Sequence, residues 1–399
     1  MIPLDISLFL ALLRAGILGE KMDPAPFAGQ WDSINPDAIR SLAVRHDVVL
    51  PLYAALDEAE EPALYRLKKC LKRLYAPRFA KAVNQDAEGE TLLQAFEAEG
   101  IDCLPMKGWR LRRFYADPLN RSMTDLDVLV RDYEHRRMLR LMQNLGYEGE
   151  SRSAWKHENY RKPPYMNVEL HRRLTDDSGA VRAWEKRMWE RCVPEEGRAH
   201  ILRMSDEDFY FHHLLHMHED FCQGTLGFRR IADTWLLLRS CPKMDRALLD
   251  SMLGMAGIQA FSRRMEKLAR VCFDGEPADE DAEVLLAYAA ENGIAGSENS
   301  YQLGRMAVRG GKNLRTARLQ SLRDAVFLPY DRMKAQFPVV EKHPILLPVC
   351  WARRLFRLAI YQPDNRKKLK SGGLSQQQLE DMRRVLQAGG VLPENKKTQ

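Results

Sequence analysis

In the first hundred residues apolar side chains recur at three- and four-residue spacing, in LFLALLRAGIL (8–18), AIRSLAVRHDVVLPLYAAL (38–56) and TLLQAFEAEG (91–100), a period that predicts helices up to about residue 98. Gly100 follows the last of them as a helix stop. From Ile101 the period changes. The chain then reads as a short strand (Ile101 to Met106), a helix from near Gly108, a strand (Asp125 to Val130), and a helix from Asp132 to Leu145 ended by Gly146. A polar loop through Pro163 and Pro164 leads to a third strand, YMNVELH (165–171). Such alternation predicts a small α/β unit.

Past residue 200 the helical period returns in SDEDFYFHHLLHMHEDF (205–221), where Ser205 is an N-cap and Asp208 a first-turn acid. It continues through GFRRIADTWLLL (227–238), AFSRRMEKLARVC (260–272), AEVLLAYAA (282–290) and ILLPVCWARRLFRLAI (345–360). The Gly-rich, basic stretch NSYQLGRMAVRGGKNLRT (299–316) reads as a surface loop or linker. The expected organisation is α+β: a helical region over 1–98, an α/β core over 99–200, a helical domain over 201–389 and a flexible tail over 390–399. No internal repeat is visible.

Composition changes this picture little. The 45% hydrophobic and 29% charged residues describe an ordinary soluble globular protein and exclude whole-chain disorder. The surplus of 61 basic over 55 acidic residues is mild, so nucleic acid is not expected as a partner, whereas an anionic small ligand such as a nucleoside triphosphate fits. Seven scattered cysteines without a CxxC pair suggest reduced thiols and a cytoplasmic setting. The apolar start MIPLDISLFLALLRAGIL has Asp5 in place of a basic n-region and Arg14 inside the apolar stretch, so it reads as an amphipathic helix rather than an export signal. No other run approaches the roughly 18 apolar residues of a membrane span.

The candidate chemistry lies in MKGWRLRRFYADPLNRSMTDLDVLV (106–130) and NVELH (167–171). In a strand, side chains at i and i+2 share a face, so Asp125 and Asp127 project together between apolar neighbours. Like charges held so close repel unless a cation lies between them. A divalent ion such as Mg²⁺ or Mn²⁺ supplies that charge and also binds substrate phosphates, and Glu169, in another strand, offers a third carboxylate. Its expected role is to bridge a metal or to accept the proton of an acceptor hydroxyl. Lys107 and Gly108 fall where a strand turns into a helix, a setting in which backbone amides and a lysine can hold a phosphate.

Arg121, followed by Ser122 and Thr124, either fixes a phosphate or holds an aspartate in orientation. His171, two residues beyond Glu169, either contacts a phosphate or orients Glu169. Arg110, Arg112 and Arg113 form either a phosphate-binding run or a solvated basic face. His212 and His216, at i,i+4, have a spacing that can bind zinc, but they lack the Glu of an HExxH, and His216 is better read as an internal hydrogen-bonding residue or a wall of an acceptor pocket. Arg229 and Asp233, also at i,i+4, read as a structural pair between domains or as part of the same pocket. Trp155, Trp184, Trp189, Trp235 and Trp351 read as core or interface residues.

The segments LPMKGWRLRRFYADPLNRSMTDLDVLV and NVELHRRL resemble the bacterial uncharacterised nucleotidyltransferases, a branch of the polymerase-beta-like superfamily. The shared pattern falls on Lys107, Gly108, Tyr115, Pro118, Arg121, Asp125, Asp127, Glu169 and His171, and the resemblance extends to AIRSLAVRHDVVLPLY and GFRRIADTWLLL. It implies a nucleotidyltransferase-like small mixed sheet flanked by helical regions. It also implies metal-dependent transfer of a nucleoside monophosphate from a triphosphate, with ATP the expected nucleotide. The acceptor would be a small molecule, sugar, peptide or protein. One departure stands out: Trp109 follows Gly108 where the superfamily has Gly-Gly or Gly-Ser, which could crowd a triphosphate. Two other readings follow from the same residues, a catalytically silent nucleotide-binding or scaffold protein, and an RNA-end nucleotidyltransferase.

Overall fold

The alternation in LDVLV becomes a strand because its two faces meet different surroundings: Leu126, Val128 and Val130 pack in a core with Leu92, Phe96, Met142, Val168 and Leu170, while Asp127 points the other way. In the computed structural model of the chain this strand, β2 (Leu126–Val130), belongs to a five-stranded mixed sheet. Its companions are β1 (Cys103–Pro105), β3 (Glu148–Gly149), β4 (His157–Lys162) and β5 (Met166–His171), in the order β1-β2-β5-β4-β3. Only β2 and β5 run parallel; the other neighbours are antiparallel. The structure describes residues 2–56, 61–131, 133–149, 157–174, 179–309, 339–361 and 374–393, with isolated positions between 313 and 337. Trp155 and Asp132, the expected start of a helix, lie outside them.

Strand β4 is one element the pattern concealed. Its sequence HENYRK is polar, and only Glu158 and Tyr160 are fully buried, so the stretch read as loop. Glu158 is satisfied there by Tyr160, His135 and Arg172.

Helices precede the sheet as expected: α1 (Leu4–Leu18), α2 (Pro36–Arg45), α3 (Val49–Ala55) and α4 (Pro62–Ala98). The first is not amphipathic, since Leu8, Phe9, Leu12, Leu13 and Ile17 are wholly buried around most of its circumference. Helix α4 stops where Gly100 takes φ 65°. It lays Leu92, Leu93 and Phe96 on the sheet.

Trp109 also packs against α4. It lies on α5 (Lys107–Leu111), is 1% exposed, and its ring fills the space that a side chain at Gly89 would need, with a Cβ there only 2.3 Å from the indole. Gly89→Ala is therefore expected to destabilise the fold by about 1–3 kcal/mol through overpacking, despite alanine's better helix propensity. Denaturant unfolding measures this; a Gly89→Ala variant as stable as wild type would deny the close packing.

Within the core segment follow α6 (His135–Asn144) and α7 (Ala180–Arg191), and beyond it α8 (Asp206–Cys222), α9 (Phe228–Ser240), α10 (Arg246–Ala256), α11 (Gln259–Phe273) and α12 (Glu280–Asn292). Ser205 caps α8, accepting from Asp208 N at 3.1 Å. Trp184 and Trp235 are core residues, 1% and 3% exposed. The arginines after Gly108 do not form a solvated face. Arg110 donates to Met204 O and Asp206, and Arg112 lies over the Trp109 ring and pairs with Asp86; of the three only Arg113 is exposed.

The described chain forms two compact units, Met1–His218 with Leu226–Ala295, and Glu219–Thr225 with Gly296–Gln399. In the second unit the stretch expected as a loop is largely helix, α13 (Glu298–Val308), capped by Ser297 and packed against Gln376–Ala388. Its Leu303, Met306 and Ala307 are buried at helical spacing, a signal that the surrounding glycines and arginines had diluted.

Candidate functional site

Strand alternation and register together build the site. Asp127 and Glu169 are direct partners across the parallel pair β2–β5, so both carboxylates emerge on the same face, opposite the apolar core. Two residues on, His171 shares that face and is 5% exposed. Asp125 stands just before β2. Their charges meet in a cleft of about 380 Å³ that is lined by Asp125, Asp127 and Glu169 on one side and by residues of α8 and α9 on the other.

Lys107 is delivered by a local irregularity. It is one of two non-glycine residues with positive φ (45°) among the described residues, a conformation that L side chains adopt at some cost, and it directs Nζ to within 2.6 Å of Asp127 Oδ1. Gly108 answers to packing: a Cβ there would lie 2.9 Å from Met123 Cγ. Gly108 and Thr124 line the cleft, whereas Trp109 points into the core and leaves the cleft uncrowded.

The electrostatics divide the three acids. Burial works against charge on Asp127, but Lys107 and the hydrogen bond from His171 Nε2 (2.8 Å) outweigh it and hold the carboxyl below the usual range. Burial likewise opposes protonation of His171, and its bonds to Asp127 and Glu169 overcome it, raising its pKa. His171 thus orients both acids. Burial first, then Asp127 and Glu169, push the Asp125 carboxyl up to about 6.

That shift carries a pH signature. Because the folded value exceeds the roughly 3.9 of an unfolded aspartate, native protein holds an extra proton between about pH 4 and 6, and stability declines as pH rises through that window. Asp125→Asn in metal-free protein is expected to abolish the decline and to add about 1–2 kcal/mol at neutral pH, after discounting for partial solvent screening. Melting curves in chelator should converge for the two proteins at low pH. Equal stability at neutral pH would mean that burial and the neighbouring charges do not raise Asp125.

The opposite wall is cationic and imidazole-rich. Arg229 and Arg230 reach it from α9, and His212, His213 and His216 from α8. Burial pulls His212 down to about 3 and His213 to about 4, and drives His216 well below its ordinary value, so these rings stand neutral. His216 Nδ1 lies 2.8 Å from Arg230 Nη1, and His213 Nε2 lies 2.9 Å from Thr234 Oγ1. Arg230 and His213 were not among the site residues expected from sequence, and His212 was expected there only for its zinc-like spacing with His216. The i, i+3, i+4, i+7 spacing of Phe209, His212, His213 and His216 is the signal that groups them on one face.

The long-range partners differ from the local ones. Asp233 does not pair with Arg229 four residues earlier. It accepts Nε (3.2 Å) and Nη2 (2.7 Å) of Arg121 and the Tyr115 hydroxyl (2.9 Å), while Arg229 reaches Asp47 at 2.5 Å. Arg121 also donates Nη1 to Ser122 O, and the aspartate it holds is Asp233 rather than Asp125 or Asp127.

A small mixed sheet that presents an Asp-x-Asp and a glutamate from the next strand, above a lysine-bearing turn, defines a nucleotidyltransferase-type domain. The chain belongs to the uncharacterised nucleotidyltransferase family, whose model matches residues 32–274. Membership supports nucleotidyl transfer as the class of reaction. No curated protein and no solved structure matches the chain. Among the described residues no helix is long and apolar enough to cross a membrane.

Proposed function

We propose that this chain is a metal-dependent nucleotidyltransferase that moves a nucleoside monophosphate from a triphosphate, ATP being the expected nucleotide, to an acceptor hydroxyl or phosphate. The observation that carries the reading is the pairing of Asp127 with Glu169 across parallel strands, facing Arg229 and Arg230 over one cleft. Residues 99–200 would be the catalytic core, preceded in sequence by the helical region 1–98 and followed by the helical domain 201–389.

The donor set suits Mg²⁺ or Mn²⁺. Asp125, Asp127 and Glu169 offer hard carboxylate oxygens, and Asp125 is raised by burial and then by the charges of Asp127 and Glu169, a setting in which a cation would favour its carboxylate form. When bound, such ions supply charge stabilisation to the attacking and leaving oxygens of a phosphoryl displacement. The chain's own groups do the rest. Asp125 and Asp127 would hold the cation, with Glu169 as a third ligand or as the group that accepts the acceptor's proton; Lys107, Arg229 and Arg230 would bind phosphate oxygens; Arg121 and Asp233 fix the cleft wall; and neutral His212 and His216 offer hydrogen bonds to the acceptor.

A catalytically silent nucleotide binder is the second reading, favoured by one contact: Lys107 already neutralises Asp127 at 2.6 Å. Calorimetric titration of the four nucleoside triphosphates, with and without Mg²⁺, separates the two. Mg²⁺-dependent binding that disappears in an Asp125→Asn, Asp127→Asn double variant is the expected result, with pyrophosphate released once an acceptor is supplied. Binding indifferent to Mg²⁺ and to both substitutions favours the silent protein, and no binding by wild type overturns both readings.

A further inference from the structure

We infer that the same sheet carries a second cation site beside the carboxylate cleft, formed by His157, Glu169 and His171 and suited to a first-row transition divalent ion rather than Mg²⁺. It rests on the nucleotidyltransferase reading only in sharing with it Glu169 and His171, which orients the acids. Register brings the residues together: β4 pairs His157 with His171 and Asn159 with Glu169, so all four side chains leave one face of the sheet. One ligand atom from each of His157, Glu169 and His171 lies within 4.8 Å of the others.

His157 Nε2 is 3.9 Å from Glu169 Oε1, too long for a hydrogen bond and open to a shared ion, and the two rings stand 5.1 Å apart between centroids. His171 Nε2 is 3.3 Å from Glu169 Oε2 and 2.8 Å from Asp127 Oδ1, so an ion here would take the place of the proton that His171 shares with the two carboxylates. Ligands held at about 2.0–2.2 Å from a tetrahedral ion lie roughly 3.3–3.6 Å from one another. The pocket also contains unmet polar valence. His171 is 5% exposed and its Nδ1 has no hydrogen-bond partner, and neither has the buried Oδ1 of Asn159, the cross-strand neighbour of Glu169. Two imidazoles with one carboxylate favour zinc, cobalt, iron or manganese, whereas Mg²⁺ favours oxygen donors and keeps its waters. Among the described residues no other His, Cys, Asp or Glu group gathers in this way, the α8 histidines included.

Co²⁺ is the probe, titrated into full-length protein stripped with chelator and followed by its visible absorption and by calorimetry. Wild type is expected to bind with a visible band that survives Asp125→Asn and a large excess of Mg²⁺. His157→Ala and His157→Gln, each checked for a cooperative melt, should lose the band and weaken Co²⁺ binding by at least about tenfold. Both should keep Mg²⁺-dependent triphosphate binding. No band in wild type, a band unchanged in both histidine variants, or displacement by equimolar Mg²⁺ overturns the inference. The two readings fail separately: a Co²⁺ band without triphosphate binding removes the enzyme and leaves the site, and triphosphate binding without the band does the reverse.

Discussion

Asp127→Asn is expected to lower nucleotidyl transfer by about 10³-fold or more while the protein still melts cooperatively. Asp127 is 4% exposed, and its Oδ1 takes both Lys107 Nζ and His171 Nε2. Asparagine keeps an acceptor oxygen of the same shape, so the hydrogen bonds can persist, but the negative charge that would hold a cation is gone. Lys107 is a quarter exposed, so losing its counter-charge should cost only about 1–2 kcal/mol. The acid side of the stability profile gives a second readout. Asp127 is depressed in the folded protein, so its contribution is present above the unfolded value and is lost as pH falls towards the folded one. The variant should therefore show a shallower loss of stability in acid, opposite in sign to the effect at Asp125. Pyrophosphate release and melting across pH test both halves, and a variant with a tenth or more of wild-type turnover would sink the assignment.

The largest stability effect is expected at Asp233. Asp233→Ala should destabilise the protein by about 3–5 kcal/mol, because it strands a buried guanidinium and a buried tyrosine hydroxyl. Asp233 is 1% and Arg121 8% exposed, and the pair is bidentate, with Tyr115 as a third member. Burial alone would raise the Asp233 carboxyl, but Arg121 prevails and holds it below the usual range. A fall in melting temperature on the order of 10 °C is the expected result. Replacing both partners, Arg121→Met with Asp233→Leu, should recover most of that loss, since no charge is then left buried and unpaired. The double variant also separates two roles for Arg121: triphosphate binding regained with stability makes it a framework residue, and binding still absent makes it a phosphate ligand. An Asp233→Ala protein as stable as wild type would show that the pair does not hold the cleft wall.

Much of the site was legible because its determinants are local. The spacing of Asp127 and Glu169 within apolar strands already dictates the face they share, while Asp125 stands just before its strand. The polar strand β4 was not legible, since half of its side chains answer to the cleft side of the sheet and only Glu158 and Tyr160 to the core. With β4 unseen, His157 could not be brought to Glu169. Trp109 was misleading for a related reason: its neighbour in sequence is Gly108, but its packing partner is Gly89 on a helix that precedes the sheet.

By itself, then, the sequence determined the periodicities, the helix stops at Gly100 and Gly146, Asp127 and Glu169 on their strands and the class of chemistry they suit. These depend on interactions within a few residues, where spacing fixes geometry. Tertiary structure alone decided who neutralises whom: Lys107 with Asp127, Arg121 with Asp233, Arg229 with Asp47 and His171 between two carboxylates. A buried charge takes whichever opposite charge the packing brings within reach, and separations of 20, 112 and 182 residues leave no trace in local spacing.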